Sequence, residues 1–264
     1  MTIHVHGGPR AFQLAATIGV TLLSACSGAS RERAPLNIDH PLVPLVLSPG
    51  SGALQPLHAR PDARARLLGR AATGDTTEQV LSEIRREERA DEREATSLAL
   101  IMSFSPPFAS VDSLVVDPRT IAPLTEVLRV RGDVIRIRYD GPRITGSVQH
   151  GDSTPVPFAV TASEVPFAFN ALDPIVRSLP LRAGFQAVVP LFSEIDRLVE
   201  RDTLSVLEGE RNALGGTVWR IRFADAVIVS TYGVDGNSRE IVSQEVTNRR
   251  SGRRFRYLPL LGGP

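Results

Sequence analysis

The fold is decided by the stretch DVIRIRY at residues 133–139. Its apolar and charged side chains alternate, so that Ile135, Ile137 and Tyr139 share one face and Arg136 and Arg138 share the other. Successive side chains of a β-strand point to opposite faces, and a period of two therefore predicts a strand. We expect a sheet with one dry face over a core and one wet face.

Short apolar runs separated by turn sequences lie on both sides of this stretch. They occupy residues 95–104, 110–116, 123–131 and 143–149. Pro-Pro, Asp-Pro, Arg-Gly-Asp and Asp-Gly-Pro stand between them, and such residues are typical of turns between strands. The spacing predicts an antiparallel meander.

A second meander is predicted nearer the carboxyl end. Three apolar residues, Trp219, Ile221 and Phe223, alternate with Arg220 and Arg222. Further strand-like runs follow at residues 226–232, 240–246 and 253–258. The residues 76–94 fit either a strand or a charged helix, and the alternation of Val80, Ser82, Ile84 and Arg86 favours a strand.

One helix is expected between the two meanders, over Asn170–Leu179. Asn170 is a suitable amino-terminal cap, Asp173 lies in the first turn, and Pro180 follows the last residue. An apolar stripe is formed by Leu172, Ile175, Val176 and Leu179. The predicted fold class is α+β and mostly antiparallel β, a curved half-barrel sheet with this helix on its concave face.

The segment NALDPIVRSLPLRAG at residues 170–184, between two meanders, resembles a family of bacterial envelope proteins with the architecture of the LolA/LolB lipoprotein-carrier half-barrels. The resemblance covers residues 76–258 and uses the Leu-Pro-Leu-x-x-Gly pattern at 179–184 and the Asp-Gly before Pro142. It implies a concave apolar sheet with a helix lid, a shape that holds acyl chains in the carriers. It implies no catalytic residues.

The amino-terminal 25 residues have the pattern of a signal peptide. Arg10 precedes the mostly apolar run at residues 11–23, which at about 1.5 Å per residue is shorter than the roughly 30 Å core of a bilayer. The sequence Leu23-Ser24-Ala25-Cys26 then resembles the lipobox of bacterial lipoproteins. We expect Cys26, the chain's single cysteine, to carry a diacylglycerol as the first mature residue.

Two features set the expected location. Ser27, rather than aspartate, follows the lipidated cysteine, which favours the outer membrane, with the domain facing the periplasm. The alternative is cleavage after Ala29 and secretion to the periplasm. Residues 26–75 contain many prolines and are predicted as a flexible tether for a domain at 76–264, although the apolar residues 41–47 offer an alternative, docking on that domain.

Composition and motif spacing argue against several function classes. Without residues 1–25 the chain has equal numbers of acidic and basic residues, so no nucleic-acid partner is expected. Ser147, His150 and Asp152 are too close along the chain to form a hydrolase triad. The histidines after the signal are scattered, and no glycine-rich fingerprint occurs, so we expect no metal, no cofactor and no enzyme activity.

The leading hypothesis is a non-enzymatic lipoprotein that binds or transfers an apolar or amphipathic envelope molecule. The candidate lining of its cavity is Leu172, Val176, Phe185, Trp219 and Phe223, for which ordinary core packing is the alternative. The alternative function is a scaffold lipoprotein that docks another envelope protein through strand edges or an arginine-rich face. The candidate residues of that face are Arg136, Arg138, Arg220 and Arg222.

Overall fold

The computed structural model describes residues 44–57, 63–70, 78–90, 97–212 and 215–260. Within these ranges sixteen strands form one sheet. They are β1 (Leu45–Val46), β2 (Ala63–Arg70), β3 (Glu78–Ala90), β4 (Leu98–Phe104), β5 (Ser110–Val116), β6 (Pro123–Val130), β7 (Asp133–Asp140), β8 (Arg143–His150), β9 (Val156–Thr161), β10 (Phe167–Ala168), β11 (Gln186–Ser193), β12 (Leu198–Arg211), β13 (Thr217–Ala224), β14 (Ile228–Asp235), β15 (Ile241–Asn248) and β16 (Arg254–Leu260).

The two predicted meanders are halves of this single sheet. Its strand order is β1-β11-β12-β13-β14-β15-β16-β2-β3-β4-β5-β6-β7-β8-β9, with β10 added beside β11. The halves meet where β16 pairs antiparallel with β2, with Phe255 opposite Gly69. All pairings are antiparallel except those of β1 and β10 with β11. The predicted fold class, a mostly antiparallel curved sheet with one helix, is confirmed.

The folded domain begins earlier than Thr76, the start expected from the sequence. Strand β2 lies inside the sheet between β16 and β3, and its residues Ala65 and Leu67 are buried. Upstream of it, β1 pairs with β11, and Leu47 is completely buried. Residues 44–57 and 63–70 therefore belong to the domain rather than to the predicted tether, because their apolar side chains complete its core.

The helix α1 (Leu172–Ser178) follows a 3₁₀ turn at Phe169–Ala171. It is shorter than the expected Asn170–Leu179, but the predicted apolar stripe of Leu172, Ile175, Val176 and Leu179 is buried. Asn170 does not cap the helix, because its side chain donates a hydrogen bond to Glu126 instead. None of the described helices has the length and apolar character to cross a bilayer.

Two ion pairs fasten α1 to β3. Arg86 Nη2 lies 2.9 Å from Asp173 Oδ2, and Arg177 Nη2 lies 2.5 Å from Glu88 Oε1. Arg86 and Glu88 are two residues apart on one strand, so both face the helix. The Glu88–Arg177 pair is the more buried, with side chains 15% and 9% exposed.

The open sheet curves until side chains near its two ends touch. The ring of Tyr139 on β7 meets that of Phe192 on β11 edge to face, with centroids 6.0 Å apart. A second contact also joins the two ends of the sheet: Arg201 Nε on β12 lies 2.7 Å from Oε1 of Glu164, which follows β9. The curvature creates a deep concave face, which α1 covers in part.

Candidate functional site

A cavity of about 250 Å³ remains on the concave side of the sheet. Strands β3 to β6 form one side of it and β14 to β16 form the other. The start of α1 and the turn between β11 and β12 contribute the rest of the wall. The side chains of the concave face therefore leave a space at this position.

Most of the cavity wall is apolar. Five side chains in it are only partly buried, although they face the inside of the fold: Met102, Phe104, Leu128, Phe169 and Ile195. Phe108 and Ile228 are buried beside them. Partly exposed apolar side chains gathered in a concavity are the usual lining of a binding pocket.

Three buried carboxyl groups form a cluster at one end of the cavity: Asp112, Glu126 and Glu194. Leu114 on β5 lies opposite Glu126 on β6, and Asp112 lies opposite Leu128, so the two acids are diagonal neighbours. Glu194 reaches them from the turn after β11. Asp112 and Glu194 line the cavity.

Glu126 is the common hydrogen-bond acceptor of this carboxyl cluster. The Tyr139 hydroxyl donates to its Oε2 (2.6 Å), and the Asn170 amide donates to its Oε1 (2.8 Å). Side-chain hydrogen bonds also join it to Asp112 and Glu194. Five polar groups from β5, β6, β7, the 3₁₀ turn and the β11–β12 turn thus converge on one point.

Burial raises the pKa of all three carboxyl groups above the ordinary value. The charge of Glu126 raises the pKa of Asp112 and Glu194 further, whereas hydrogen bonds from Tyr139 and Asn170 oppose the rise for Glu126. Glu126 therefore ionises first, with protonated Asp112 and Glu194 as donors to it. Burial, and then the charge of Glu126, also raises the pKa of Tyr139.

A second polar group in the cavity wall surrounds Arg86. Its Nη2 contacts Asp173 Oδ2 (2.9 Å) and, more weakly, Gln244 Oε1 (3.5 Å), and its guanidinium lies 6.0 Å from the ring centroid of Tyr257. Burial raises the pKa of Tyr257 and of Tyr232, so both phenols stay neutral. This end of the cavity carries a paired charge.

Five residues are expected from the sequence to line a cavity, and of these Leu172 alone lies in the wall of the cavity described above. Val176 and Phe223 are completely buried, and Phe223 packs edge to face on Phe169. Phe185 is buried beside the start of β11, and Trp219 is partly buried on β13 against Gly209 and Gly236. These four side chains pack within the core, the alternative left open for them.

The four candidate arginines of the outer face do not form one strip. All four are exposed, but Arg136 and Arg138 lie on β7, whereas Arg220 and Arg222 lie on β13. Eight strands stand between β7 and β13, which at about 4.8 Å each is roughly 40 Å of sheet. An edge is available at β9, which among the described strands pairs with β8 alone and whose Val156 is 59% exposed.

The remaining sequence candidates are also dispersed. Nδ1 of His150 lies 3.0 Å from Asp133 Oδ2 on the exposed surface, and this pair is separate from Ser147. In the ranges that the structure describes, no three His, Cys, Asp or Glu side chains are arranged to hold a metal ion. Cys26 lies outside the described residues.

Sequence reasoning missed the carboxyl cluster, although one signal for it exists. Asp112 alternates in phase with Leu114 and Val116, and Glu126 in phase with Leu128, so the period of two places both acids on the apolar face. An acid at such a position is informative because Asp and Glu are rarely buried without a partner. No comparable signal marks Glu194, which lies in a turn.

No protein-family model, curated protein or solved structure matches this chain.

Proposed function

We propose that this domain binds a small amphipathic molecule in its concave cavity without converting it, and that a lipid on Cys26 holds it at the envelope membrane. The cavity itself supports the binding role most directly. It joins an apolar wall to a few convergent polar groups, which is the general composition of ligand pockets.

The size of the cavity limits the ligand. Its volume of about 250 Å³ lies just below the range of roughly 300–1,000 Å³ that is common for ligand pockets. The volume fits a small molecule, or one end of a longer amphiphile whose remainder leaves through the mouth. The proposed ligand is therefore not a complete acyl chain buried along the whole concave face.

Native mass spectrometry of the protein from its own membranes tests the binding role. We expect a stoichiometric small molecule on the wild type and its loss from Met102→Trp, because Met102 lines the cavity and an indole fills it. The matched control is Val111→Trp, which introduces the same indole at an exposed position on β5. Wild-type protein without any bound molecule, or Met102→Trp with full occupancy, would contradict the proposal.

The anchor is tested separately by Cys26→Ala. This change removes the only sulfur that a diacylglycerol transferase is able to modify in this chain, so we expect the protein to move from the membrane to the soluble fraction. Ser27→Ala is the control and should remain in the membrane. Membrane retention of the Cys26→Ala protein after a high-salt wash would contradict the lipid anchor.

Acid–base catalysis is the second candidate, and the raised pKa values of Asp112 and Glu194 beside a cavity favour it. The two candidates differ in what the cavity retains. A binding protein holds the same molecule in the wild type and in Glu194→Gln. A catalyst holds substrate in Glu194→Gln and product, or nothing, in the wild type, and mass spectrometry of the released molecules distinguishes these outcomes.

A further inference from the structure

Two buried polar atoms in the cavity wall have no hydrogen-bond partner among the described residues. One is Oδ1 of Asp112, a residue only 7% exposed, and the other is Nε of Arg86. Both residues line the cavity. A buried donor or acceptor without a partner is unfavourable, and native proteins usually satisfy such groups. These two atoms are therefore the points at which hydrogen bonds would hold a ligand.

Arg86 and Asp112 stand in one row across the sheet. Met102 on β4 is paired with Arg86 on β3 and with Asp112 on β5. Directly paired residues point to the same face, so the three side chains enter the cavity side by side. Two strand spacings of about 4.8 Å put roughly 10 Å between the backbones of β3 and β5. The unpaired donor and the unpaired acceptor thus lie on opposite sides of an apolar side chain.

Neither atom requires a charged partner. The guanidinium of Arg86 is already paired with Asp173, whose Oδ2 lies 2.9 Å from Nη2. Protonated Asp112 donates to Glu126, which leaves Oδ1 as the carbonyl oxygen of a neutral carboxyl group. The charge of Glu126 also receives the two shorter hydrogen bonds described above. Arg86 Nε therefore suits an uncharged acceptor, and Asp112 Oδ1 suits an uncharged donor.

We infer that the cavity recognises a short, uncharged molecule with a polar group at each end of an apolar chain, one end donating a hydrogen bond to Asp112 and the other accepting one from Arg86. This inference rests on the proposed function, because it names the class of molecule that the cavity takes. Hydroxyl groups meet both requirements, since each is a donor and an acceptor. The apolar middle of the molecule would pack against Met102 and Phe104.

Other classes of molecule fit these two atoms less well. An ammonium group offers no acceptor to Arg86, and a carboxylate offers no hydrogen to Asp112. A molecule with a single polar group satisfies one of the two atoms and leaves the other unpaired. The expected ligand is therefore neutral and polar at both ends.

Isothermal titration of the full-length protein at pH 7 with four matched probes tests the inference. The probes are hexane-1,6-diol, hexan-1-ol, hexane-1,6-diammonium dichloride and disodium hexanedioate, which share one hydrocarbon chain. We expect the diol to bind about tenfold more tightly than hexanol, because it satisfies both unpaired atoms, and the two charged probes to bind most weakly. Hexanol has the larger apolar surface, so hydrophobic contact alone predicts the opposite order for the two alcohols.

Two substitutions of Asp112 test its role as an uncharged acceptor. Asp112→Asn keeps an oxygen acceptor and supplies an amide donor to Glu126, so the affinity for the diol should stay within about twofold of the wild-type value. Asp112→Leu removes the acceptor, so the affinity for the diol should fall about tenfold while that for hexanol stays within about twofold. Thermal unfolding checks that each variant is folded.

A charge-balanced double variant tests the other end. Arg86→Met with Asp173→Leu removes the Nε donor together with the carboxylate that pairs with it, and it should lower the affinity for the diol to that for hexanol. Arg66→Met with Glu83→Leu is the matched control, because this pair is exposed, with Nε and Oε1 3.6 Å apart, and it should leave all the affinities unchanged. This arm is independent of Asp112, so it remains decisive if Asp112→Leu fails to fold.

The outcomes separate this inference from the proposed function. Equal binding of the diol and hexanol, tighter binding of either charged probe, or a loss in Asp112→Asn as large as that in Asp112→Leu overturns the inference and leaves the binding role standing. If no probe binds, the inference is wrong, and native mass spectrometry of the membrane-derived protein decides the binding role separately. A preference for the diol that Asp112→Leu and the double variant abolish supports both.

Discussion

Replacing Glu88 by leucine is expected to lower the free energy of unfolding by about 3–5 kcal/mol, the usual cost of removing one partner of a buried ion pair. Glu88 Oε1 lies 2.5 Å from Arg177 Nη2, and the two side chains are mostly buried between β3 and α1. Without Glu88 the guanidinium stays buried with its charge uncompensated. Urea denaturation followed by circular dichroism measures the change.

A double variant shows whether the unpaired charge causes the loss. In Glu88→Leu with Arg177→Met neither charge remains, so stability should return to near the wild-type value or exceed it. Glu245→Leu is the matched control, because Glu245 forms an exposed pair with Arg256 on neighbouring strands and should change stability by about 1 kcal/mol or less. If the double variant is as unstable as Glu88→Leu alone, the loss of stability comes from lost packing and not from the unpaired charge of Arg177.

The double variant Asp112→Asn with Glu194→Gln is expected to stabilise the fold at pH 8, by about 1.4 kcal/mol for each unit by which burial raises the pKa of these carboxyl groups. The amide groups donate to Glu126 as the protonated acids do, but they do not ionise. The substitution therefore fixes the hydrogen-bonded form of the cluster at every pH.

The direction of the pH dependence follows from the raised pKa values of Asp112 and Glu194, which burial causes. A carboxyl group with a higher pKa in the folded state than in the unfolded state stabilises the fold fully at a pH below its unfolded pKa. That contribution is lost as the pH rises through the folded pKa. The difference in unfolding free energy between the double variant and the wild type should thus grow from pH 4 to pH 8.

Asp235→Asn provides a control of opposite sign. Backbone N–H groups of Ser238 and Asn237 donate to Asp235 Oδ1 and lower the pKa of this carboxyl group. Its contribution is present above the unfolded pKa and is lost as the pH falls through the folded pKa, so the effect of Asp235→Asn on stability should change mainly below about pH 4. A constant difference in unfolding free energy between wild type and the cluster double variant from pH 4 to pH 8 would contradict the assignment of the buried acids.

Alternation of side chains was sufficient to predict the strands that have one wet face. In β7 the buried Ile135, Ile137 and Tyr139 alternate with exposed Arg136 and Arg138, as expected. The residues 78–90 form the predicted strand rather than a helix. The period of two is strong here because large apolar and charged residues occupy opposite faces.

The same reasoning failed where the residues on the buried face are small or both faces are covered. In β2 the buried positions include Ala65 and Gly69, which give little hydrophobic signal between arginines, so the sequence predicts a tether here instead of a strand. In β11 five consecutive residues from Val189 to Ser193 are buried, and a continuously buried strand has no alternation. The curvature that brings Glu194 to Asp112 depends on the complete sheet and has no local signature.

The pairing of β2 with β16 makes the sheet dependent on both ends of its own chain. Gly69 and Phe255 face each other across that pair although about 190 residues separate them. Contacts of such high order form late, because closing a long loop costs entropy before the contact offsets it. A growing chain therefore leaves the facing edges of β15 and β2 without their shared neighbour until its last strand is available. The sheet of a growing chain is therefore incomplete until β16 has been synthesised.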